Sequence, residues 1–563
     1  MAPYNVLAAA ALIACISAGG PALAQSQNIS RGDHQRASKS HAPPPAQLIE
    51  IRSIDGSGNN IAHPGVNASG AQFVRIAPND YEDGVAEMRA TGLSSAPLPN
   101  PRTVSNVVVA QSGDMPNRFG TSDWIWQWGQ FIDHDLTLSD GIADPADMML
   151  PPGDMLDDGS GVMAFQRAEF DMATGTGSSN PRQQVNELSG WIDASNVYGS
   201  SQARADELRS FSGGRLKTSP GDLLPFNINN FPNANGPAPD PTALFIAGDV
   251  RSNEQVSLTS VHTLFVREHN RLADRIAARN PSYTDEEIYQ KARRLVGAEL
   301  QIITYNEFLP ALLGSKGRLK KYRGYDPTIN AGIRNEFSVA AYRLGHSALS
   351  PMLRRLDANG NSIGDLPLRS VFFNAPTILT ARDSVDPFYR GLSSQRHQAI
   401  DAKIIDDVRN FLFGPPGAGG FDLAALNIHR GRDHGVPGLN DVRVALGLKR
   451  HRNFADITKD RTLRAALAST YADVDDVDLW VGGLSETPVG DSQLGETVTA
   501  ILILQFTALR DGDRFWYQRY LTRGELSMVG GVRLSDIIAR NSGVVVQKDV
   551  FYVSDGRPKR GRS

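Results

Sequence analysis

The chain has 563 residues, of which 40% are hydrophobic and 21% charged. That is ample apolar material for a large buried core and an ordinary charge content for a globular protein. A net charge of −4 and a pI of 6.3 leave no excess of positive charge, which argues against a nucleic-acid partner.

Residues 6–18 are small and apolar, and Ala22-Leu23-Ala24 precedes Gln25 as an A-x-A cleavage site would. Residues 1–24 are therefore expected to be a secretory signal peptide, although the opening MAPYN carries no Lys or Arg. The run is too short for a comfortable membrane span, so no transmembrane helix is expected. Leu12-Ile13-Ala14-Cys15 offers an alternative, a lipobox that would anchor the chain through Cys15. Cys15 is the single cysteine. Cleavage after Ala24 would remove it, and with it thiolate catalysis, cysteine–zinc sites and any disulfide-linked dimer. The expected location is secreted or periplasmic.

Residues 25–75 read as a leader, polar at first and with three prolines at 43–45. They hold an adhesion-like Arg31-Gly32-Asp33, a tripeptide common by chance. Residues 76–555 show no repeat and no long linker, and read as one body. Residues 556–563 form a basic tail.

Within the body the periodicity predicts a mainly α-helical fold. The stretch WIWQWGQFIDHDL, Trp124–Leu136, runs from aromatic residues into Asp133-His134-Asp135. On a helix Gln130 and His134 share a face, while Asp133 and Asp135 point elsewhere. A frayed, solvated helix end explains the triplet equally well. In LSGWIDASNVYGS, residues 188–200, Ser189, Trp191, Asp193 and Ser195 alternate. An extended loop would place them on one side as hard oxygen donors suited to calcium, although a polar turn reads the same way. AGDVRSNEQ, residues 247–255, sets Arg251 and Glu254 before a helix predicted over 257–278. The ordinary reading there is an Arg251–Glu254 pair. Thr284-Asp285-Glu286-Glu287 predicts a capping box opening a long helical stretch over 288–313. EFSVAAYRLGHSALSPMLRRL, residues 336–356, reads as a helix with a lone His346. LNIHRGRDHGVPGLN, residues 426–440, is dense in Arg and His.

Together with LTSVHTLFVREHNRLA and LRDGDRFWYQ, these segments occur in one order over residues 75–540. In that order the sequence resembles the animal-type haem peroxidase family, the peroxidase–cyclooxygenase superfamily, as a compact, bacterial-type member. The resemblance implies a single, mainly α-helical domain holding haem b between distal and proximal helices. It implies catalytic roles for His134, Arg251 and Gln130, with His346 as proximal iron ligand and Asn427 bonded to its far ring nitrogen. Asp133 and Glu254 match carboxylates that form ester links to haem. Arg343 and Arg430 match haem-edge or propionate partners. Asp135 matches a calcium ligand, joined by Ser189, the Trp191 carbonyl, Asp193 and Ser195.

The expected reaction is reduction of hydrogen peroxide with oxidation of a halide, thiocyanate or small aromatic donor. Gln255 stands where some members carry a methionine linked to haem through sulfur, so at most two covalent links are expected and chloride oxidation is disfavoured. A fatty-acid dioxygenase of the same superfamily is the nearest alternative. It needs a tyrosine three residues before the proximal histidine, where this chain has Arg343. A non-catalytic haem or adhesion protein, or a calcium-only structural protein, is the bland alternative.

Overall fold

The structure, a computed structural model, describes residues 50–554 except 237, 239 and 316. The expected signal peptide with Cys15, the Arg31-Gly32-Asp33 tripeptide and the basic tail lie outside the described residues. The described residues from Ile51 to Ser554 form one unit. The expected leader ran to residue 75, but its last part belongs to the body. Phe73 is in the core, Asn59 and Asn67 are buried, and Arg52 makes a two-pronged ion pair with Asp513. The low hydrophobicity that suggested disorder is offset here by specific polar contacts, such as Asn59 Nδ2 donating to Asp513 Oδ1 at 2.8 Å.

Helices dominate. Among the described residues the strands are short and form four two-stranded antiparallel pairs. Six helices and one short turn of helix place the site. They are α1 (Trp124–Leu136), α2 (Val256–Arg279), α3 (Asp285–Ile303), the one-turn α4 (Gly345–Ala348), α5 (Leu423–Asp433), α6 (Glu496–Asp511) and α7 (Leu534–Ser542). Among the described residues no helix is long and apolar enough to cross a membrane.

α1 is buried over most of its surface, and only Gly129, Gln130 and Asp133 are partly exposed. Trp124, Trp126, Trp128 and Phe131 are all buried. Trp124 Nε1 donates to Ser393 Oγ at 2.9 Å and Trp128 Nε1 to Thr304 Oγ1 at 3.2 Å, so these two indoles bury their area without losing a hydrogen bond. Phe131 stacks on Phe265 of α2 at 5.1 Å. This aromatic contact fixes the end of α1 that carries Asp133-His134-Asp135.

α2 has its predicted apolar face, but its polar face is buried too, because the helix runs through the centre. Its hydroxyls bond back to the chain, as Thr259 Oγ1 does to the Ser252 carbonyl at 2.7 Å. The capping box before α3 forms as predicted, between Thr284 and Glu287. The stretch after it is not one helix. A wider turn at Thr304–Phe308 interrupts it just before Pro310, whose missing N–H cannot continue the ladder. The stretch over 336–356 is also broken, into Asn335–Val339, the 3-10 turn Ala341–Leu344 and α4.

Asp123 begins α1 and is buried, accepting from Ser350 Oγ at 2.7 Å. Trp126, Arg354 and Asp114 also bear on it, but burial is the largest influence and pushes its carboxyl up from 3.8 to about 7. Between about pH 4 and 7 the folded chain therefore keeps a proton that the unfolded chain has lost. The stabilisation is complete below that window and falls as pH rises through it, by at most about 1.4 kcal/mol per pH unit. Asp123→Asn should raise the urea midpoint near pH 8 and leave it unchanged near pH 4. An equal shift at both pH values would assign the effect to another cause.

Candidate active site

The distal wall is built by the end of α1 and the loop entering α2. His134 is 3% exposed. Its Nδ1 lies 3.3 Å from Asp249 Oδ1 without hydrogen-bond alignment, and its Nε2 lies 4.0 Å from Glu254 Oε2. Burial first, and then the Arg251 charge, holds the imidazole well below its ordinary pKa against the opposing pull of Asp249. His134 is therefore neutral at working pH and carries one free lone pair.

Arg251 does not pair primarily with Glu254. It forks onto Asp249 through Nε at 2.9 Å and Nη2 at 2.8 Å, and reaches Asp133 Oδ2 at 3.4 Å through Nη1. Its Nη2 also donates to the Thr137 carbonyl at 2.9 Å. Asp249 is a residue the sequence reading left without a role. Its only signal was its place two residues before Arg251, and only the fold shows that it serves both Arg251 and His134. His262 was missed as well. It is fully buried on α2, 6.2 Å from His134 ring to ring, and burial draws its pKa down to about 4.

Burial is the largest influence on the Asp133 and Glu254 carboxyls, while the carboxylates around Arg251 outweigh its burial and hold it protonated, yet the three side chains keep 29%, 28% and 18% of their area exposed. They line a cleft rather than a packed core. Burial raises both carboxyls, Glu254 to about 7, against the opposing Arg251 charge. Gln130 borders the same cleft, half-buried, and hydrogen-bonds Glu254.

The other wall comes from α4 and α5. α4 packs against α1 and carries His346, and the Arg343 charge bears directly on Asp133. Burial lowers the His346 pKa to about 3, so this imidazole is neutral too. A Cβ placed on Gly345 would meet nothing within 4 Å, which marks open space beside His346. The Arg430 charge bears on Arg343 from α5. Arg430 pairs with Asp433 at 2.9 Å and lies over the Phe165 ring at 4.2 Å.

The calcium candidates Asp135, Ser189, Asp193 and Ser195 come together, but not along an extended loop. Ala194 takes a left-handed φ of 67°, and one helical turn starts at Ser195. The Asp135 carboxylate winds the loop around itself by accepting from the N–H groups of Asp193, Ala194 and Asn196. Ser195 Oγ donates to Asp135 Oδ1 and Ser189 Oγ to Asp193 Oδ2, both at 2.7 Å. Trp191 is buried in the same loop. Two buried carboxylates with hydroxyls beside them match a hard divalent cation. Without a cation, burial drives both carboxyls toward protonation.

A helical body whose cleft has a neutral imidazole and an arginine on one wall, and a second neutral imidazole on an adjoining helix, has the side chains that an oxidoreductase built around an iron porphyrin needs. Residues 51–551 match the animal haem peroxidase family, and the chain belongs to that family. It is a haem-dependent peroxidase. It is 34% identical over 519 residues to peroxinectin A of Dictyostelium discoideum, covering 89% of this chain and 96% of that protein. Among solved structures it is similar to peroxidase A of Dictyostelium discoideum, with a TM-score of 0.82 at 33% identity over 89% of this chain and 99% of that one. A fatty acid alpha-dioxygenase of Oryza sativa shares the fold alone, with a TM-score of 0.76 at 20% identity over 90% of this chain and 87% of that one.

The residues fit haem, with one adjustment. Asn427 was expected to accept from His346. Instead its Oδ1 accepts from Arg343 Nη1 at 2.9 Å, which turns Nδ2 toward His346 Nδ1 at 2.7 Å. An iron ligand needs the proton on Nδ1 and the lone pair on Nε2. Exchanging the amide's oxygen and nitrogen positions supplies that acceptor. Arg343 then needs a different acceptor, and a haem carboxylate is one.

Proposed function

We propose that this peroxidase reduces hydrogen peroxide and oxidises a small anion (bromide, iodide or thiocyanate) or a small phenol, outside the cytoplasm. The observation that carries the reading is the pairing in one cleft of a neutral, buried His134 with the fixed cation Arg251. Haem bound in the cleft would supply the redox chemistry, peroxide reduction coupled to donor oxidation. His134 accepts a proton from peroxide on one oxygen and returns it to the other, as a general base and then a general acid. Arg251, held by Asp249, offsets the negative charge that develops on the departing oxygen. His346 would hold the iron, with Asn427 orienting the imidazole. Gln130, Arg251 and Arg343 offer the donor side N–H groups and positive charge. The raised Glu254 and Asp133 carboxyls repel an anion less than ordinary carboxylates would.

Asp133 and Glu254 are the ester-forming carboxylates of this reading, and Asp135, Ser189, Asp193 and Ser195 hold calcium with the Trp191 carbonyl. The ion would pin the helix end that aims His134. Export rests on the N-terminal apolar run and its Ala24 cleavage site. Against a dioxygenase, Tyr342 is stacked on Phe337 at 4.7 Å in the core, and Arg343 takes the cleft position.

The test is an absorption spectrum of the haem-loaded protein, acid–organic extraction of the haem, and metal analysis of the same sample. A Soret band, haem retained after extraction, about one calcium per chain and peroxide-dependent bromide or thiocyanate oxidation are expected. Fully extractable haem would remove the ester roles. Oxygen uptake with a fatty acid, and no peroxide-dependent oxidation, would replace the whole reading.

A further inference from the structure

Gln255 is buried between the two distal helices, and every polar atom of its side chain is used. Its Oε1 caps α2 by accepting from the Ser257 N–H at 2.8 Å, and lies 2.5 Å from Ser257 Oγ. A backbone N–H donates only, so this end of the amide must be the oxygen. The other end is therefore the NH₂ group. It reaches Gln127 Oε1 at 2.9 Å and Gln130 Oε1 at 3.2 Å, two acceptors one turn apart on α1.

The consequence reaches the cleft. With its oxygen claimed by Gln255, Gln130 must present its NH₂ group on its other side. That group meets Glu254, and it is the end that a small anion would find. Reversing Gln130 would bring two NH₂ groups together at the Gln255 contact and put a carbonyl dipole toward the anion.

We propose that Gln255 is a positioning residue of the distal site, a fork that ties α1 to the start of α2 and fixes Gln130 with its donor side toward the cleft, so that the site accepts anionic electron donors. The assignment rests on the anionic-donor reading above only for its last step. The orientation of Gln130 follows from the hydrogen-bond chain alone.

Two measurements test it. Gln255→Glu keeps the shape and the cap but replaces the donor fork with acceptors. Gln130 must then turn its NH₂ inward and its oxygen toward the cleft. In Soret-monitored titrations of the ferric, haem-loaded enzyme, the bromide Kd should rise about tenfold, the size expected for one lost hydrogen bond to a charged group. In the Gln130→Leu background the same change should have no further effect on the bromide Kd. Unfolding midpoints for Gln255→Leu, Gln130→Leu and the double variant form a cycle that needs no anion, and they should be non-additive. An additive cycle, or a folded Gln255→Glu enzyme with the wild-type bromide Kd, overturns the proposal. A wild-type enzyme that binds neither bromide nor thiocyanate overturns the anionic-donor reading and this proposal's last step, and a non-additive cycle would then support the positioning of Gln130 alone.

Discussion

Replacing His134 with alanine should lower kcat/KM for hydrogen peroxide by about 10²–10⁴, the usual worth of one positioned acid–base group. The expectation rests on the state of the imidazole. Burial and the Arg251 charge keep it unprotonated, so the wild-type enzyme has a base ready in the neutral range. Without His134 the proton must leave to solvent before peroxide can react. The residual rate should then follow the fraction of hydroperoxide anion and climb with pH where the wild-type rate is flat. A purely structural role would lower the rate without changing its pH dependence. Haem content and circular dichroism of the variant must match wild type for the comparison to count. A variant with undiminished peroxide turnover would move the chemistry away from the distal wall and favour a haem protein that merely keeps the fold.

The second large effect is expected on the other wall. His346→Ala should lose haem on gel filtration and with it peroxidase turnover, and added imidazole should restore part of both by filling the space beside Gly345. Asn427→Ala should have a smaller effect, a loss of about 10–100-fold in haem affinity, because an outer partner orients the ligand without being one. The order of these two losses is the informative part. Asn427 is shared between His346 and Arg343 through one amide. Arg343→Met should therefore release its oxygen toward His346 and leave ligation intact, while weakening retention of the haem carboxylates. If His346→Ala keeps a full complement of haem and normal turnover, the proximal assignment is wrong.

Much of this protein was legible in the sequence because the relevant signals are local. The Trp124–Leu136 helix could be read from its run of large apolar residues, and the burial of its tryptophans and Phe131 follows from that run. Thr284 and Glu287 announced their helix start, because a capping box is closed by side chains three residues apart. The order of the motifs pointed to the family and named His134, Arg251, His346 and Asn427 as candidate site residues, since each motif is short and carries its own chemistry.

What the sequence left open depends on contacts between distant segments. Nothing near Arg251 showed that Asp249 would hold it, because an acidic neighbour pairs with arginine in many loops without function. The calcium candidates alternate in sequence, yet they converge by winding around Asp135, which lies more than fifty residues away. The apolar period after Thr284 gave no sign of the wider turn at Thr304–Phe308, where Thr304 meets Trp128. Residues 51–75 read as a leader because their composition is polar, and only Asp513 and the core around Phe73 make them part of the body. Gln255 drew notice only as the place where a methionine is missing, and its partners on α1 appear once the two helices are side by side. The sequence by itself determined the mainly helical class, the helix at Trp124, the helix start at Thr284 and the family, because these depend on neighbours along the chain. The tertiary structure alone decided which of the candidate side chains are neutral, which are held and which way each amide points, because burial and hydrogen-bond partners come from segments the chain brings together only when folded.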